Sequence, residues 1–114
     1  MGSTDRTSAT SGGPRWQVQF ETGAARDVRG YDLDDPRFRP TVRALVEDLK
    51  RDPFSFPKKR GKLKNARAAS LRFANVAWRV VFTINESRRL VRILSVGPHD
   101  VAYERATRRT LNRS

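Results

Sequence analysis

Apolar and polar residues alternate near the start of the chain. Trp16, Val18 and Phe20 are separated by Gln17 and Gln19. This period of two is typical of a strand that buries one face. We therefore predict a strand at this position, with the two glutamines on its exposed face.

Helical patterns follow this strand. The segment 24–29 is compatible with a short helix that ends before Gly30. A stronger helix is predicted downstream, because five apolar residues recur at spacings of 4, 3, 1 and 3 and form one stripe on a period of 3.6 residues. The stripe consists of Phe38, Val42, Leu45, Val46 and Leu49.

The ends of the second helix can also be predicted. Asp34 or Asp35 can cap its first turn, and Pro36 suits that turn because its missing N–H costs no hydrogen bond there. Pro53 disfavours helical geometry at the preceding residue. The helix is therefore expected to end near Asp52.

Three strands are predicted after this helix. Apolar residues alternate with polar ones over 69–73, whereas the segment 76–84 has apolar residues on both faces, as a central strand does. Residues 85–88 supply a turn, and 90–96 forms the last strand, which Gly97–Pro98 is expected to end. The short connections favour an antiparallel meander.

A C-terminal helix is expected from Asp100, as its cap, to about Leu111. The order of one strand, one or two helices, three strands and one helix predicts an α+β fold. The 114 residues suit a single domain. We assign this domain to 14–114, because residues 1–13 are small and polar and are expected to form a disordered tail.

The composition excludes several kinds of site. The chain has no cysteine, so disulfides and thiolate chemistry are excluded, and its single histidine, His99, excludes a metal site built from several histidines. No apolar run approaches the roughly 20 residues that a membrane-spanning helix needs. These exclusions fit a cytoplasmic protein without a metal or another cofactor.

The positive charge lies in the second half of the chain. Residues 1–57 carry nine basic and nine acidic side chains, whereas residues 58–114 carry fifteen basic and three acidic ones, which accounts for the net charge of +12. This asymmetry predicts a polyanionic partner, most often a nucleic acid. An acidic protein or an acidic membrane surface is also compatible with it.

Three motifs occur in a fixed order along the chain. They are RDPF followed by GKLKN (51–54 and 61–65), SLRFANVAWRVVF (70–82) and ILSVGPHDVAYERATRR (93–109). In order and spacing they resemble the RelE/ParE superfamily of toxins from bacterial type II toxin–antitoxin modules, over roughly Arg15 to Arg109. The resemblance implies a RelE-like, compact α+β fold of the microbial RNase type.

The resemblance also implies a function. RelE-type members are mRNA interferases that cleave ribosome-bound mRNA in the A site without metal and so inhibit translation. An antitoxin protein holds such toxins in check. ParE-type members share the fold, lack the catalytic set and act on DNA gyrase. The resemblance therefore implies an antitoxin, the ribosome and mRNA as partners, and it implies neither a metal nor a membrane.

Three residues are candidates for catalysis. Arg79 lies in the apolar AWRVVF segment, where a guanidinium can hold phosphate through two parallel N–H bonds. His99 is a side chain that can act as acid or base near neutral pH. The resemblance places both at functional positions and gives Tyr103 a stacking or proton-transfer role. Packing roles remain open for Tyr103, and a solvent-facing position remains open for Arg79.

The candidates for RNA binding are basic residues of the connector and the strand after it. They are Lys58, Lys59, Arg60, Lys62, Lys64, Arg67 and Arg72. The sequence departs from the best-known RelE-type toxins nearby, because two of their strand lysines would fall at about Ala68 and Ser70. Neither residue can supply a charge or transfer a proton as lysine does.

Three functions remain open from the sequence. The first is a ribosome-dependent endoribonuclease toxin, which the positions of His99 and Tyr103 favour. The second is a non-catalytic, ParE-like toxin that binds a protein such as DNA gyrase, which Ala68 and Ser70 favour. The third is a basic RNA-binding protein that does not arrest growth.

Overall fold

The computed structural model describes residues 15–58 and 65–112. No helix within these ranges is long and apolar enough to cross a membrane. The elements, in chain order, are β1 (Gln17–Phe20), α1 (Thr22–Asp34), α2 (Phe38–Arg51), a 3-10 turn (Pro53–Ser55), β2 (Ala66–Phe73), β3 (Val76–Asn85), β4 (Leu90–Pro98) and α3 (His99–Asn112). The predicted tail 1–13 lies outside the described residues.

The four strands form one sheet in the order β1-β4-β3-β2. The last three strands form the predicted antiparallel meander, and β1 pairs in parallel with β4, with Val18 opposite Val91. The predicted α+β fold is confirmed. The parallel pairing of β1 joins residues more than 70 positions apart, which no local pattern indicates.

Helix α1 is longer than predicted. It extends over 13 residues and continues through Gly30 to Asp34, so the expected end before Gly30 is wrong. Gly30 is exposed, and a Cβ at this position would meet nothing within 4 Å. A glycine inside a helix costs about 1 kcal/mol, and burial of Ala24 and Val28 on the opposite face offsets this cost.

The predicted starts of the other two helices need correction, whereas their predicted C-terminal ends agree with the structure. Helix α2 begins at Phe38, so Pro36 precedes its first turn, and the Asp35 carboxylate accepts a hydrogen bond from the backbone N–H of Arg37. Helix α3 begins at His99, and Asp100 lies inside its first turn instead of capping it.

Strand β4 also differs from its prediction at its end. It continues through Gly97 to Pro98, which oppose Arg79 and Trp78 of β3. Proline is tolerated there because it is the terminal residue of the strand and needs no further ladder hydrogen bond.

Helices pack on both faces of the sheet. Helices α1 and α2 cover one face, where Phe38 of α2 packs on Trp78 with ring centroids 4.7 Å apart. Helix α3 covers part of the other face, where Ala102 and Ala106 pack on Val81. We call these the α1/α2 face and the α3 face. The predicted α2 stripe lies in the α1/α2 core.

Candidate nucleic-acid site

Arg79 lies on the α3 face of the central strand β3. Val81, two residues further along this strand and therefore on the same face, packs against Ala102 and Ala106 of α3. The Arg79 side chain is half-buried, and its Nη1 donates a hydrogen bond to the carbonyl oxygen of Trp78 at 3.2 Å. Within 15–58 and 65–112, no carboxylate pairs with this guanidinium.

Ser70 and Arg72 extend this basic face onto β2. Ser70 is directly opposite Arg79, and Arg72 is opposite Ala77. The Arg72 side chain is exposed and lies diagonally across from Arg79, at about 7–8 Å between Cα atoms. Two guanidinium groups can therefore contact neighbouring phosphates on the α3 face.

The two positions without the expected lysines also lie on this face. Ala68 is 6% exposed and opposes Val81, so it contributes to the packing under α3. Ser70 is exposed beside Arg79 and presents a hydroxyl group where a lysine would add a second cation. Of the two departures from lysine, only the one at Ser70 therefore changes the solvent-accessible part of the α3 face.

His99 and Tyr103 occupy one side of the first turn of α3. Their rings meet edge to face, with centroids 5.3 Å apart. The His99 side chain is 52% exposed, and its Nδ1 lies 2.7 Å from an Asp100 carboxylate oxygen. Tyr103 is half-buried and packs against the apolar cluster under α3, which includes Val81, Ala102 and Ala106.

The sheet register brings these groups to one end of the molecule. Arg79 opposes Gly97, and Trp78 opposes Pro98, the residue before His99. The guanidinium and the His99–Tyr103 pair therefore extend from neighbouring backbone positions where β4 ends and α3 begins. This arrangement supplies a cation, an imidazole and a phenol.

An ion-pair cluster holds α3 against α1. Asp27 of α1 has a side chain that is only 6% exposed. Its two carboxylate oxygens accept hydrogen bonds from Arg109 Nη1 and Nη2, both at 2.9 Å, and Arg105 Nη1 lies 3.2 Å from Oδ1. These hydrogen bonds raise the pKa of the Arg109 guanidinium above its usual value. We call Asp27, Arg105 and Arg109 the Asp27 cluster.

The Asp27 cluster also covers an open edge of the sheet. Strand β1 pairs only with the first part of β4, through Ile93. Beyond that point the Asp27 carboxylate accepts the backbone N–H of Val96 at 3.0 Å, and Arg109 and Arg105 donate to the carbonyl oxygens of Leu94 and Val96. Side chains thus replace a missing neighbouring strand, because buried backbone groups need partners.

A glycine allows this approach. Gly23 lies one turn before Asp27 on α1, and a Cβ there would lie 2.7 Å from the Arg109 guanidinium. A larger residue at this position would require the end of the Arg109 side chain to shift.

The structure separates Arg67 from the other RNA-binding candidates. Arg67 lies on the α1/α2 side of β2, where its Nη1 donates to the carbonyl oxygen of Phe56 at 2.6 Å and its guanidinium lies 5.1 Å from the Phe54 ring centroid. It fixes the segment after α2 instead of extending the basic face. Lys58 is exposed, and its backbone forms an isolated antiparallel β-bridge with that of Arg67. The candidates Lys59, Arg60, Lys62 and Lys64 lie outside the described residues.

Sequence reasoning missed the Asp27 cluster, although a signal for it exists. Ala24, Asp27, Val28 and Tyr31 follow helical spacings of 3, 1 and 3, and α3 repeats this pattern with Ala102, Arg105, Ala106 and Arg109. A charged residue within such a buried stripe needs a charged partner. One acidic stripe and one basic stripe therefore indicate two helices that pair.

Comparisons with known proteins identify the fold. No family model and no curated protein match the chain. A RelBE toxin–antitoxin complex of Mycobacterium tuberculosis matches with 25% identity and a TM-score of 0.60, covering 75% of this chain and 92% of that chain. A variant of the E. coli toxin RelE in the free state matches with 18% identity and a TM-score of 0.62, covering 83% and 97%.

The intact E. coli RelBE toxin–antitoxin complex also matches, with 21% identity and a TM-score of 0.54, covering 73% of this chain and 95% of that chain. The structural neighbours are thus RelE toxins, free and in complex with antitoxins. The chain has the RelE-like fold, and it spans nearly the whole length of each of these neighbours.

Proposed function

We propose that this protein is the toxin of a type II toxin–antitoxin pair and acts in the cytoplasm as a ribosome-dependent, metal-free mRNA endoribonuclease. The observation that carries the proposal is the guanidinium of Arg79, which no carboxylate of residues 15–58 and 65–112 pairs with, at the end of the sheet where His99 and Tyr103 also lie. The RelE-like fold supports the toxin role, and the matched RelBE complexes support an antitoxin partner.

Cleavage by this arrangement would use the RNA itself as the nucleophile. The 2′-oxygen attacks the adjacent phosphorus while its proton passes to a base, the bond from phosphorus to the 5′-oxygen breaks, and an acid protonates that leaving oxygen. The products are a 2′,3′-cyclic phosphate and a 5′-hydroxyl. Arg79 would bind the phosphate oxygens, whose charge increases in the transition state.

His99 and Tyr103 are the groups available for proton transfer. The Asp100 carboxylate beside Nδ1 orients the His99 ring and leaves Nε2 for the substrate. The rings of Tyr103 and His99 are perpendicular to each other, and Tyr103 also packs against the sheet. A phenol held in this way can donate a proton or stack on a base.

A second candidate function is a non-catalytic toxin that binds DNA gyrase. The specific observation in its favour is Ser70, which places no second cation beside Arg79. Induction of the protein in cells, followed by mapping of mRNA 5′ ends, distinguishes the two. The nuclease predicts new ends within codons of translated mRNA, whereas the gyrase-binding toxin predicts arrested growth with no new mRNA ends.

Binding to RNA is expected to depend strongly on salt. If about five cations contact phosphates, the logarithm of the association constant falls against the logarithm of salt concentration with a slope of about −3.5 on single strands. Fluorescence anisotropy with a labelled RNA oligonucleotide over a salt series measures this slope. An affinity that does not change with salt would contradict a nucleic-acid partner.

Introducing a lysine at position 70 is expected to add one phosphate contact. Ser70→Lys places an ammonium group beside Arg79 and should steepen the salt slope by about 0.7. The matched control is Ser87→Lys, which adds the same charge in the exposed turn at the far end of the β3–β4 hairpin. Equal steepening in both variants would show that RNA does not bind preferentially at the α3 face.

A further inference from the structure

Tyr31, near the end of α1, contacts elements on both faces of the sheet. Its ring belongs to the α1/α2 core and packs on Trp78 and Phe38, with ring centroids 4.7 and 5.4 Å apart. Its hydroxyl oxygen accepts a hydrogen bond from Nη1 of Arg105, a residue of α3, at 2.9 Å. Tyr31 therefore joins the α1/α2 core to the helix on the other face.

The hydroxyl of Tyr31 also lies against the backbone that leads into α3. A Cβ on Gly97 would lie 3.3 Å from the Tyr31 hydroxyl oxygen and 3.4 Å from Arg105 Nη1, which is tighter than most Cβ contacts in proteins. Arg105 Nη1 also donates a hydrogen bond to the carbonyl oxygen of Val96 at 3.2 Å. Tyr31 and Arg105 therefore restrain the last residues of β4 from one side.

Tyr31 also contacts the strand that carries Arg79. Trp78, on which the Tyr31 ring packs, immediately precedes Arg79 in β3 and opposes Pro98 in β4. His99 follows Pro98 directly. Tyr31 thus contacts both of the backbone segments from which the cation and the imidazole of the candidate site extend.

We propose that Tyr31 is a positioning residue that sets the place of His99 relative to Arg79. Its ring is packed in the core and its hydroxyl is bonded to Arg105, so Tyr31 would act through these contacts instead of on the RNA. The inference rests on the proposed function, because this placement matters for catalysis only if both groups act on one phosphate. Misplacement of a catalytic group by about 1 Å can cost about 10²-fold in rate.

Tyr31→Phe separates a positioning role from a contribution to stability alone. Phenylalanine keeps the ring on Trp78 and removes only one of the acceptors of Arg105. The matched control is Val28→Ala, one turn earlier on α1 and buried in the same core. Val28→Ala should lower the midpoint of thermal unfolding at least as much as Tyr31→Phe does, because it removes buried methyl groups.

The position of His99 can be measured without any cleavage assay. His99 is the only histidine of the chain, so its ring gives one isolated set of nuclear magnetic resonance signals. Its ring is perpendicular to that of Tyr103, with centroids 5.3 Å apart, so its chemical shifts depend on how the two rings are placed. The His99 signals should move in Tyr31→Phe and stay at their wild-type positions in Val28→Ala. Phenylalanine keeps an aromatic ring at position 31, so loss of that ring cannot cause the movement.

Single-turnover cleavage on programmed ribosomes gives the second readout. Tyr31→Phe should lower the maximal rate about tenfold. It should change the ribosome concentration that gives half the maximal rate by less than about twofold, because the residues that bind phosphate remain. Val28→Ala should leave both quantities within about twofold of wild type, at a temperature at which circular dichroism shows both variants to be folded.

A substitution on the other side of the contact gives an independent test. Gly97→Ala places a methyl group against the Tyr31 hydroxyl, and it should also move the His99 signals and lower the rate. Tyr31→Phe/Gly97→Ala removes the hydroxyl that crowds this methyl group. The loss of rate in the double variant should therefore be smaller than the product of the two single losses.

Three results would overturn the inference. They are His99 signals that do not move in Tyr31→Phe, a loss of rate in Tyr31→Phe no larger than that in Val28→Ala, and losses that multiply in the double variant. If wild type does not cleave, the proposed function fails, and the His99 signals still decide whether Tyr31 positions the imidazole.

Discussion

Replacing Arg79 with alanine is expected to lower the rate of mRNA cleavage by about 10²- to 10³-fold while the protein remains folded. A fixed cation at the scissile phosphate supplies a contribution of this size. The guanidinium makes no ion pair with the described residues, and its hydrogen bond goes to the neighbouring carbonyl oxygen of Trp78. Its removal therefore leaves no buried charge behind, and stability should change little.

The same assay extends to the other members of the site. His99→Ala and Tyr103→Phe should each lower the rate by about 10²- to 10⁴-fold if these side chains transfer protons. Arg79→Lys should retain part of the activity, because lysine keeps the charge but lacks the paired N–H geometry of arginine. Single-turnover rates on ribosomes programmed with mRNA are the appropriate measurement.

The control for these substitutions is Arg88→Ala, which removes one exposed arginine from the turn before β4. It should alter the rate less than threefold. If Arg88→Ala and Arg79→Ala lower the rate equally, the loss reflects general charge, and a catalytic role for Arg79 would be wrong. Thermal midpoints of the purified variants exclude unfolding as the cause.

Replacing Asp27 with alanine is expected to destabilise the fold by about 3 kcal/mol. Loss of one partner of a buried ion pair costs about 3–5 kcal/mol, and the lower value applies because the Arg105 and Arg109 side chains remain about 30% exposed. The Val96 N–H also loses its acceptor. For a domain of this size, such a loss lowers the midpoint of thermal unfolding by more than 10 °C.

Asp32→Ala is the matched control for this substitution. Asp32 lies on the same helix, and its carboxylate pairs with the half-exposed Arg39 side chain and accepts the Arg39 backbone N–H, so its removal should cost about 1 kcal/mol, less than that of Asp27. Hydrogen exchange in Asp27→Ala should rise more in α3 than in α2, because Asp27 bonds directly to α3. Equal destabilisation by the two alanine variants would contradict the role assigned to the Asp27 cluster.

Local patterns predicted the elements whose burial is regular. The stripe from Phe38 to Leu49 predicted α2, alternation predicted β1 and β2, and apolar residues on both faces predicted the central strand β3. These predictions succeeded because one buried face imposes a period on the sequence that does not depend on distant partners.

These local patterns could not predict contacts between residues that are far apart in the sequence. The buried position of Asp27 depends on α3, because its partner Arg109 lies about 80 residues further along the chain. Arg67 resembles any other basic strand residue in the sequence, yet the register of β2 places it on the α1/α2 side. A one-residue change of register would have placed it on the α3 face.

The candidate site was predictable in part. The motif around His99 and the apolar surroundings of Arg79 indicated both residues, and the structure brings their backbone positions together where β4 ends. Catalytic roles for Arg79, His99 and Tyr103 stay predictions.

Cleavage of mRNA in the ribosomal A site by the wild-type protein can be measured directly. Purified protein is added to ribosomes programmed with a defined mRNA, and the position and chemistry of each new end are determined. We expect a cut within the A-site codon that leaves a 2′,3′-cyclic phosphate and a 5′-hydroxyl, and no cut with Arg79→Ala on the same time scale. Intact mRNA at every codon tested with wild type would contradict this expectation.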